Sequence, residues 1–179
     1  MIIRRELPAD VPAIRAVTAA AFATAPHSAP PVEPDGAPGE ATLVGWLRGD
    51  PGWLPALSLV AQAADGQVVG HVVCTRGSVD EAAVLGLGPL SVDPGHQRSG
   101  VGSALLHAVL GAADALDEPL VALLGDPAYY GRFGFQPATA VGITAPDPAW
   151  GDLFQVRTLT AYRAGLTGTF AYAAPFSRF

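Results

Sequence analysis

The chain has 179 residues, half of them hydrophobic, and sets 10 basic side chains, all arginine, against 16 acidic ones for a net charge of −6. That length allows one domain, over residues 1–179, with a real core, and the composition excludes a disordered chain. The acidity argues against a nucleic-acid binder, which needs a basic face, and the lone cysteine, Cys74, excludes a disulfide framework and a Cys-rich zinc site.

In chain order, "IIRRE" reads as a first strand, and "ADVPAIRAVTAAAF" as a helix with Val11, Ile14, Val17, Ala21 and Phe22 on one face and Asp10 as its N-cap. Residues 25–39 hold five prolines and no periodicity, the mark of a long functional or disordered loop. "EATLVGWLR" (40–48) reads as a second helix. Residues 56–79 are two β-rich runs around Asp65-Gly66, a hairpin signal, and 82–92 is a third apolar run. Pro89 inside that run marks a bulge or an edge. A helix is expected over 101–116, with Val101, Leu105, Val109, Ala112 and Leu116 as its apolar face. A short apolar strand follows at 120–125, then a short helix over 127–135 ended by Gly134, and two β-like runs, "LFQVRTLT" and "GTFAYAA". This order implies one mixed sheet with helices on both faces. No apolar run reaches membrane-span length, and "MIIRRELPAD" lacks the apolar stretch of a signal peptide. A cytoplasmic protein is expected, with neither membrane nor nucleic acid among its partners.

The segment "SVDPGHQRSGVGSALLHAVL" (91–110) puts two glycines at the mouth of a helix. The first N–H groups of a helix lack intrahelical partners and carry the positive end of its dipole, which suits a phosphate. Gly100 and Gly102 would let a bulky anion approach the backbone. A glycine-tolerant loop entering a core helix explains the same residues, and physics alone leaves the two readings level. A Walker loop is excluded because the chain has no lysine.

Gln97-Arg98-Ser99-Gly100-Val101-Gly102 resembles the Q/R-x-x-G-x-G/A signature of the GNAT superfamily of N-acetyltransferases. "LSVDP" before it, "SALL" after it, the "SLVA…GQVVGHVV" hairpin and Tyr130-x-x-x-Gly134-Phe135 are similar to that family too, and "GPLSVDP" with "LGDPAYYGRFGF" resembles its YhbS-like branch. The resemblance implies an α/β (α+β) fold with a mixed, mostly antiparallel central sheet. It implies acetyl-CoA as cosubstrate, with its pyrophosphate on the backbone N–H groups of Gln97, Arg98, Ser99, Gly100, Val101, Gly102 and Ser103. It implies that the strand at 84–92 splays from that at 120–125 to admit pantetheine. Val92 would pair with the pantetheine amide, and the Leu90 N–H would act as oxyanion donor. The acceptor would be the primary amine of a small molecule or a peptide.

Tyr130 is the candidate acid for the departing thiolate, since a phenol near the sulfur can supply the proton. Tyr129, turned about 100° away on a helix, is expected to pack. Gly86 stands where some relatives carry a glutamate, so the base is open: Asp126 fits an N-cap better, His27 an exposed loop, His71 and Cys74 the core or sheet surface, and His107 the solvated helix face. The chain also lacks the asparagine that many relatives bring to the cofactor. Two other readings share the scaffold: a non-catalytic acyl-CoA-binding domain and an O-acyl or longer-chain acyltransferase. Strand 168–174 offers an edge for pairing into a homodimer.

Overall fold

The computed structural model describes residues 1–178. Strands β1 (Ile2–Arg5), β2 (Trp53–Gln62), β3 (Val68–Val79), β4 (Ala82–Val92) and β5 (Leu120–Leu124) lie side by side, followed by β8 (Phe154–Thr158) and β6 (Gln136–Pro137). β4 and β5 run parallel, as do β7 (Ile143–Thr144) and β9 (Gly168–Ala171), and the remaining pairs are antiparallel. The two-residue strands β6 and β7 are too short to leave a periodic signal in the sequence. β9 lies between β3 and β7. Within the chain, Phe170 and Ala171 pair with β3 and Gly168 and Thr169 with β7.

Helices cover both faces. α1 (Val11–Phe22) and α2 (Gly39–Arg48) pack Ile14, Leu43, Val44 and Leu47 on Val60 and Val73, while α3 (Val101–Ala115) packs on the other face against Leu59, Val72, Leu85 and Val121. α3 buries Val101, Leu105, Leu106, Val109, Leu110 and Ala113, whereas Leu116 is left exposed. The apolar stripe is thus turned toward Leu106 and Leu110 relative to the predicted face. Each fully buried leucine adds about 2 kcal/mol. No helix among the described residues is long and apolar enough to cross a membrane.

Two polar expectations change. Asp10 does not cap α1 with its side chain; it accepts from the Leu7 N–H at 2.7 Å and from Arg4 at 2.6 and 3.0 Å. The proline-rich loop 25–39 is tied down at both ends. Glu40 accepts from Ser28 Oγ and the Ala29 N–H, and Arg15 pairs with Glu33 and Asp35.

Between β1 and α2 lies a polar cluster. Glu6 accepts from Arg48 at 2.7 and 3.1 Å and from Ser58 Oγ at 2.6 Å, and His71 Nε2 sits 2.9 Å from Ser58 Oγ and 3.5 Å from Glu6. Burial alone would raise the Glu6 carboxyl, but hydrogen bonds from His71, Arg48 and Ser58 override it and hold it at about 2. Burial lowers His71 below its ordinary value against the pull of Glu6, so the ring stays neutral.

Both shifts leave the unfolded chain with more protons than the folded one in acid. Stability is therefore full above the unfolded histidine value of about 6.5 and declines below it as unfolded His71 charges. It declines further as pH falls from the unfolded glutamate value of about 4.3 toward the folded Glu6 value of about 2. Thermal melts at about pH 7, 5 and 3 should show midpoints that drop at each step. Glu6→Gln should cost about 2 kcal/mol at neutral pH and flatten the drop between the two acidic points. An unflattened drop in that variant would acquit Glu6.

Candidate active site

β4 ends at Val92, where the Asp93 side chain accepts from the Gly95 N–H at 2.9 Å and closes a short 3-10 turn over Pro94–His96. Ser99 Oγ donates to His96 O at 2.6 Å, and the chain then passes Arg98 at φ 59° and Gly100 at φ 92° before α3 begins at Val101. Gly100 is required by that left-handed backbone and not by space, since a Cβ there would meet nothing within 4 Å. The Ala104 N–H is the first to bond back, to Gly100 O at 3.0 Å. The N–H groups of Val101, Gly102 and Ser103 precede it and have no acceptor within the helix. They point out of the positive end of a 15-residue helix.

Beside this terminus the sheet opens. β4 and β5 pair only at Leu85↔Val121 and Gly86↔Ala122, and beyond those positions they separate. β4 carries one extra residue at Gly88–Pro89: its register against β3 runs Cys74↔Leu87 and then Val72↔Leu90. The bulge expected at Pro89 is thus present. Above it the Asp93 N–H bonds Val69 O, and because backbone groups alternate in direction along a strand, those of Val92 and Leu90 face away from β3 into the gap. Gln97 reaches back to give Nε2–H to Val92 O at 3.2 Å, so part of that carbonyl is already engaged.

A cavity of about 290 Å³ lies at this junction, lined by Leu90, Val92, Gln97, Arg98, Gly102 and, from outside the predicted set, Ala21, Phe22 and Tyr129. The side chains of Ser99 and Val101 are elsewhere, the first turned to His96 O and the second in the core, so those residues present backbone only. Ser103 is half-buried and, like Gly100, absent from the cavity wall. A groove of about 270 Å³ near the far end of α3, by His107, Asp114 and Arg157, shares none of these residues. Its Asp114 already accepts from Thr160, and its Arg157 already donates to Phe133 O.

α4 (Pro127–Tyr130) is capped by Asp126, which accepts from the Ala128 N–H at 2.8 Å. Its two tyrosines stand edge to face at 4.9 Å and diverge. Tyr130 lies across Gly125 at the end of β5, where a Cβ would overlap its ring, and meets Phe135 at 5.8 Å. Burial, with Tyr129 adding to it, raises the Tyr130 phenol above its ordinary value and keeps it protonated. Tyr130 is not among the residues that line the cavity, whereas Tyr129 is, and a Cβ on Gly102 would come within 2.7 Å of the Tyr129 hydroxyl. It is a wall of the site, which corrects the expectation that it only packs. The helical spacing separated the two rings but could not say what the second one meets.

The place of the missing glutamate is filled. The Tyr172 ring lies on Gly86, 2.6 Å from where a Cβ would be. Burial raises the Tyr172 phenol as well, with Tyr130 contributing. The sequence signal for Tyr172 was the alternation in "TFAY", which puts Phe170 and Tyr172 on one face; nothing local says that this face covers β4. Of the other candidates, His27 and His107 are exposed and His71 and Cys74 are buried, with burial pushing the Cys74 thiol up.

The acetyltransferase (GNAT) domain profile matches residues 56–137. The N-acetyltransferase YhbS of Escherichia coli K12 is 35% identical over 182 residues, covering 100% of both chains. The crystal structure of Escherichia coli YhbS in complex with CoA superposes with a TM-score of 0.84 at 33% identity, over 99% of this chain and 92% of that one. A Brucella melitensis GNAT acetyltransferase in complex with acetyl-CoA gives 0.76 at 32% identity, over 98% and 97%. With 35% identity over the full length of Escherichia coli YhbS, the chain belongs to the GNAT superfamily of N-acetyltransferases.

Proposed function

We propose that the protein transfers an acetyl group from acetyl-CoA to a primary amine by direct attack in a ternary complex. The observation that carries this reading is the parting of β4 from β5 beside the bare N-terminus of α3. The N–H groups from Gln97 to Ser103 hold the pyrophosphate, with Arg98 at the rim. Pantetheine runs along the outward backbone of Val92 and Leu90, and Tyr129 closes the cavity where many relatives use an asparagine. CoA and acetyl-CoA in the two relatives' crystals support this assignment.

In this reading the Leu90 N–H donates to the thioester oxygen as negative charge gathers there. Tyr130 gives its proton to the leaving sulfur. A phenol held above its ordinary value of about 10 stays protonated across the working range, so its acid role does not fade at mildly alkaline pH. The filled space over Gly86 favours a second reading, an acyl-CoA-binding domain without turnover. A mass shift on a panel of amines incubated with acetyl-CoA separates the two.

Gly102→Glu should abolish CoA binding in calorimetry, a loss of at least about a hundredfold from like-charge contact with the pyrophosphate. A carboxylate in the first turn suits the helix dipole, so the fold should survive with Tyr129 displaced. Full affinity in the folded variant would remove the cosubstrate assignment.

The two tyrosines should separate by kinetics. Tyr130→Phe should lower kcat and kcat/KM together, roughly ten- to a thousandfold, and leave CoA affinity intact. Tyr129→Phe should weaken CoA binding by about three- to tenfold, the worth of one neutral hydrogen bond, and leave kcat nearly unchanged. The reverse pattern would exchange their roles.

A further inference from the structure

The cavity beside α3 has a volume of about 290 Å³, the small end for a ligand pocket. CoA is a large molecule, so its nucleotide end has to lie outside the cavity, on the surface around the mouth. That end carries a 3′-phosphate, separate from the pyrophosphate. A helix N-terminus supplies only about half a positive charge, and the pyrophosphate already takes the turn that opens α3. The 3′-phosphate calls for a cation of its own.

Two arginines stand at this mouth with no carboxylate partner among the described residues. Arg98 lies on the turn and lines the cavity. Arg132 comes from the 3-10 turn Gly131–Phe133 that follows α4, and it is exposed. One ring separates it from the cavity. Its Cζ lies 4.8 Å from the centre of the Tyr129 ring, and Tyr129 is a cavity wall whose hydroxyl lies 2.7 Å from where a Cβ on Gly102 would be. The guanidinium is held in place: Nε donates to Tyr129 O at 3.2 Å, and the Phe133 ring centre is 5.4 Å from Cζ. Neither Nη1 nor Nη2 donates to any group among the described residues. A basic side chain bonded to a carbonyl at a helix end is an ordinary cap, but a cap uses one N–H. Here it leaves both Nη groups as a preset fork, which suits a phosphate.

The neighbouring charges are committed. Asp93 accepts from the Gly95 N–H and lies 3.1 Å from His96 Nδ1, and Asp126 accepts from the Ala128 N–H. Arg157 donates to Phe133 O, and His107 meets the Phe133 ring edge-on at 5.2 Å.

We propose, resting on the acetyltransferase reading above, that Arg132 holds the 3′-phosphate of the cosubstrate, so that the protein selects CoA and its esters over the 3′-dephospho forms. The turn and Arg98 serve the pyrophosphate, and Tyr129 stands between the two places, its hydroxyl toward Gly102 and its ring against Arg132. The contact is exposed to water and salt, so the selectivity it gives is about tenfold, between the worth of a surface ion pair and that of a buried charged hydrogen bond.

The test measures binding of CoA and of 3′-dephospho-CoA to the full chain by calorimetry at low ionic strength, where an exposed ion pair is least screened. The wild type should bind CoA about tenfold more tightly. Arg132→Gln should erase that margin by weakening CoA alone, with dephospho-CoA affinity and the thermal midpoint nearly unmoved. Arg132→Lys should keep part of the margin, because an ammonium retains the charge and loses the fork. If Arg132 only caps α4, its replacement would weaken both ligands equally or neither, and either result would overturn the inference. A wild type that binds the two ligands equally would overturn it as well, and so would a margin that survives Arg132→Gln, which would pass the 3′-phosphate to another group. Failure of the wild type to bind either ligand would instead overturn the acetyltransferase reading beneath it.

Discussion

Strand β4 carries one residue more than its register against β3 can pair, and the geometry of the cleft depends on where that residue sits. Below the bulge, Leu85 and Leu87 turn their side chains toward α3; above it, Leu90 and Val92 do. The backbone alternation shifts with them. In a regular strand, Pro89 would be the residue whose backbone faces the gap, and proline has no N–H to offer. The insertion puts Leu90 in that place. The parting of β4 from β5 then leaves the Leu90 N–H without a neighbouring strand. A donor aimed at an open slot is therefore a consequence of register, and no side chain is needed to create it.

The same economy governs the rings. Tyr129, Tyr130 and Tyr172 each lie against a glycine: Gly102 at the start of α3, Gly125 at the end of β5 and Gly86 in β4. A side chain at any of the three would push its ring out of place, so each glycine fixes where a phenol can be. The three glycines lie on or beside three different elements, α3, β5 and β4. Burial displaces both the Tyr130 and the Tyr172 phenols upward.

Local chemistry was legible before the fold was known. The hairpin at Asp65-Gly66, the bulge at Pro89 and the glycine turn before α3 each leave a short-range mark, because turn geometry and helix termini are set by neighbouring residues. What the sequence left open was contact at long range. Asp10 carries the composition of an N-cap, yet Arg4 and the Leu7 N–H claim its carboxylate. The apolar face of α3 was read one position off because Leu106 and Leu110 meet the sheet while Leu116 runs past its edge. The contact of Tyr172 with Gly86 was invisible for the same reason. Its partner Gly86 lies far back in the chain, and only the pairing of β9 with β3 brings them together. The absent glutamate read as a gap in the sequence, and in three dimensions it is an occupied position.

A chain of net charge −6 that is assigned a polyanionic cosubstrate looks inconsistent until distances are considered. At physiological salt, charges farther than about 8 Å are largely screened, so the total has little authority over a contact site. Arg4, Arg15, Arg48 and Arg76 are each neutralised by a carboxylate within 2.6 to 3.0 Å. Among the described residues, Arg98 at the cleft has no such partner. Beside Arg98 the cleft has a row of oriented N–H groups at the end of a 15-residue helix. These act at hydrogen-bond distance and carry no net charge of their own. Such a site selects by the shape of its turn, and it can hold a diphosphate on a protein whose overall charge would repel a nucleic acid.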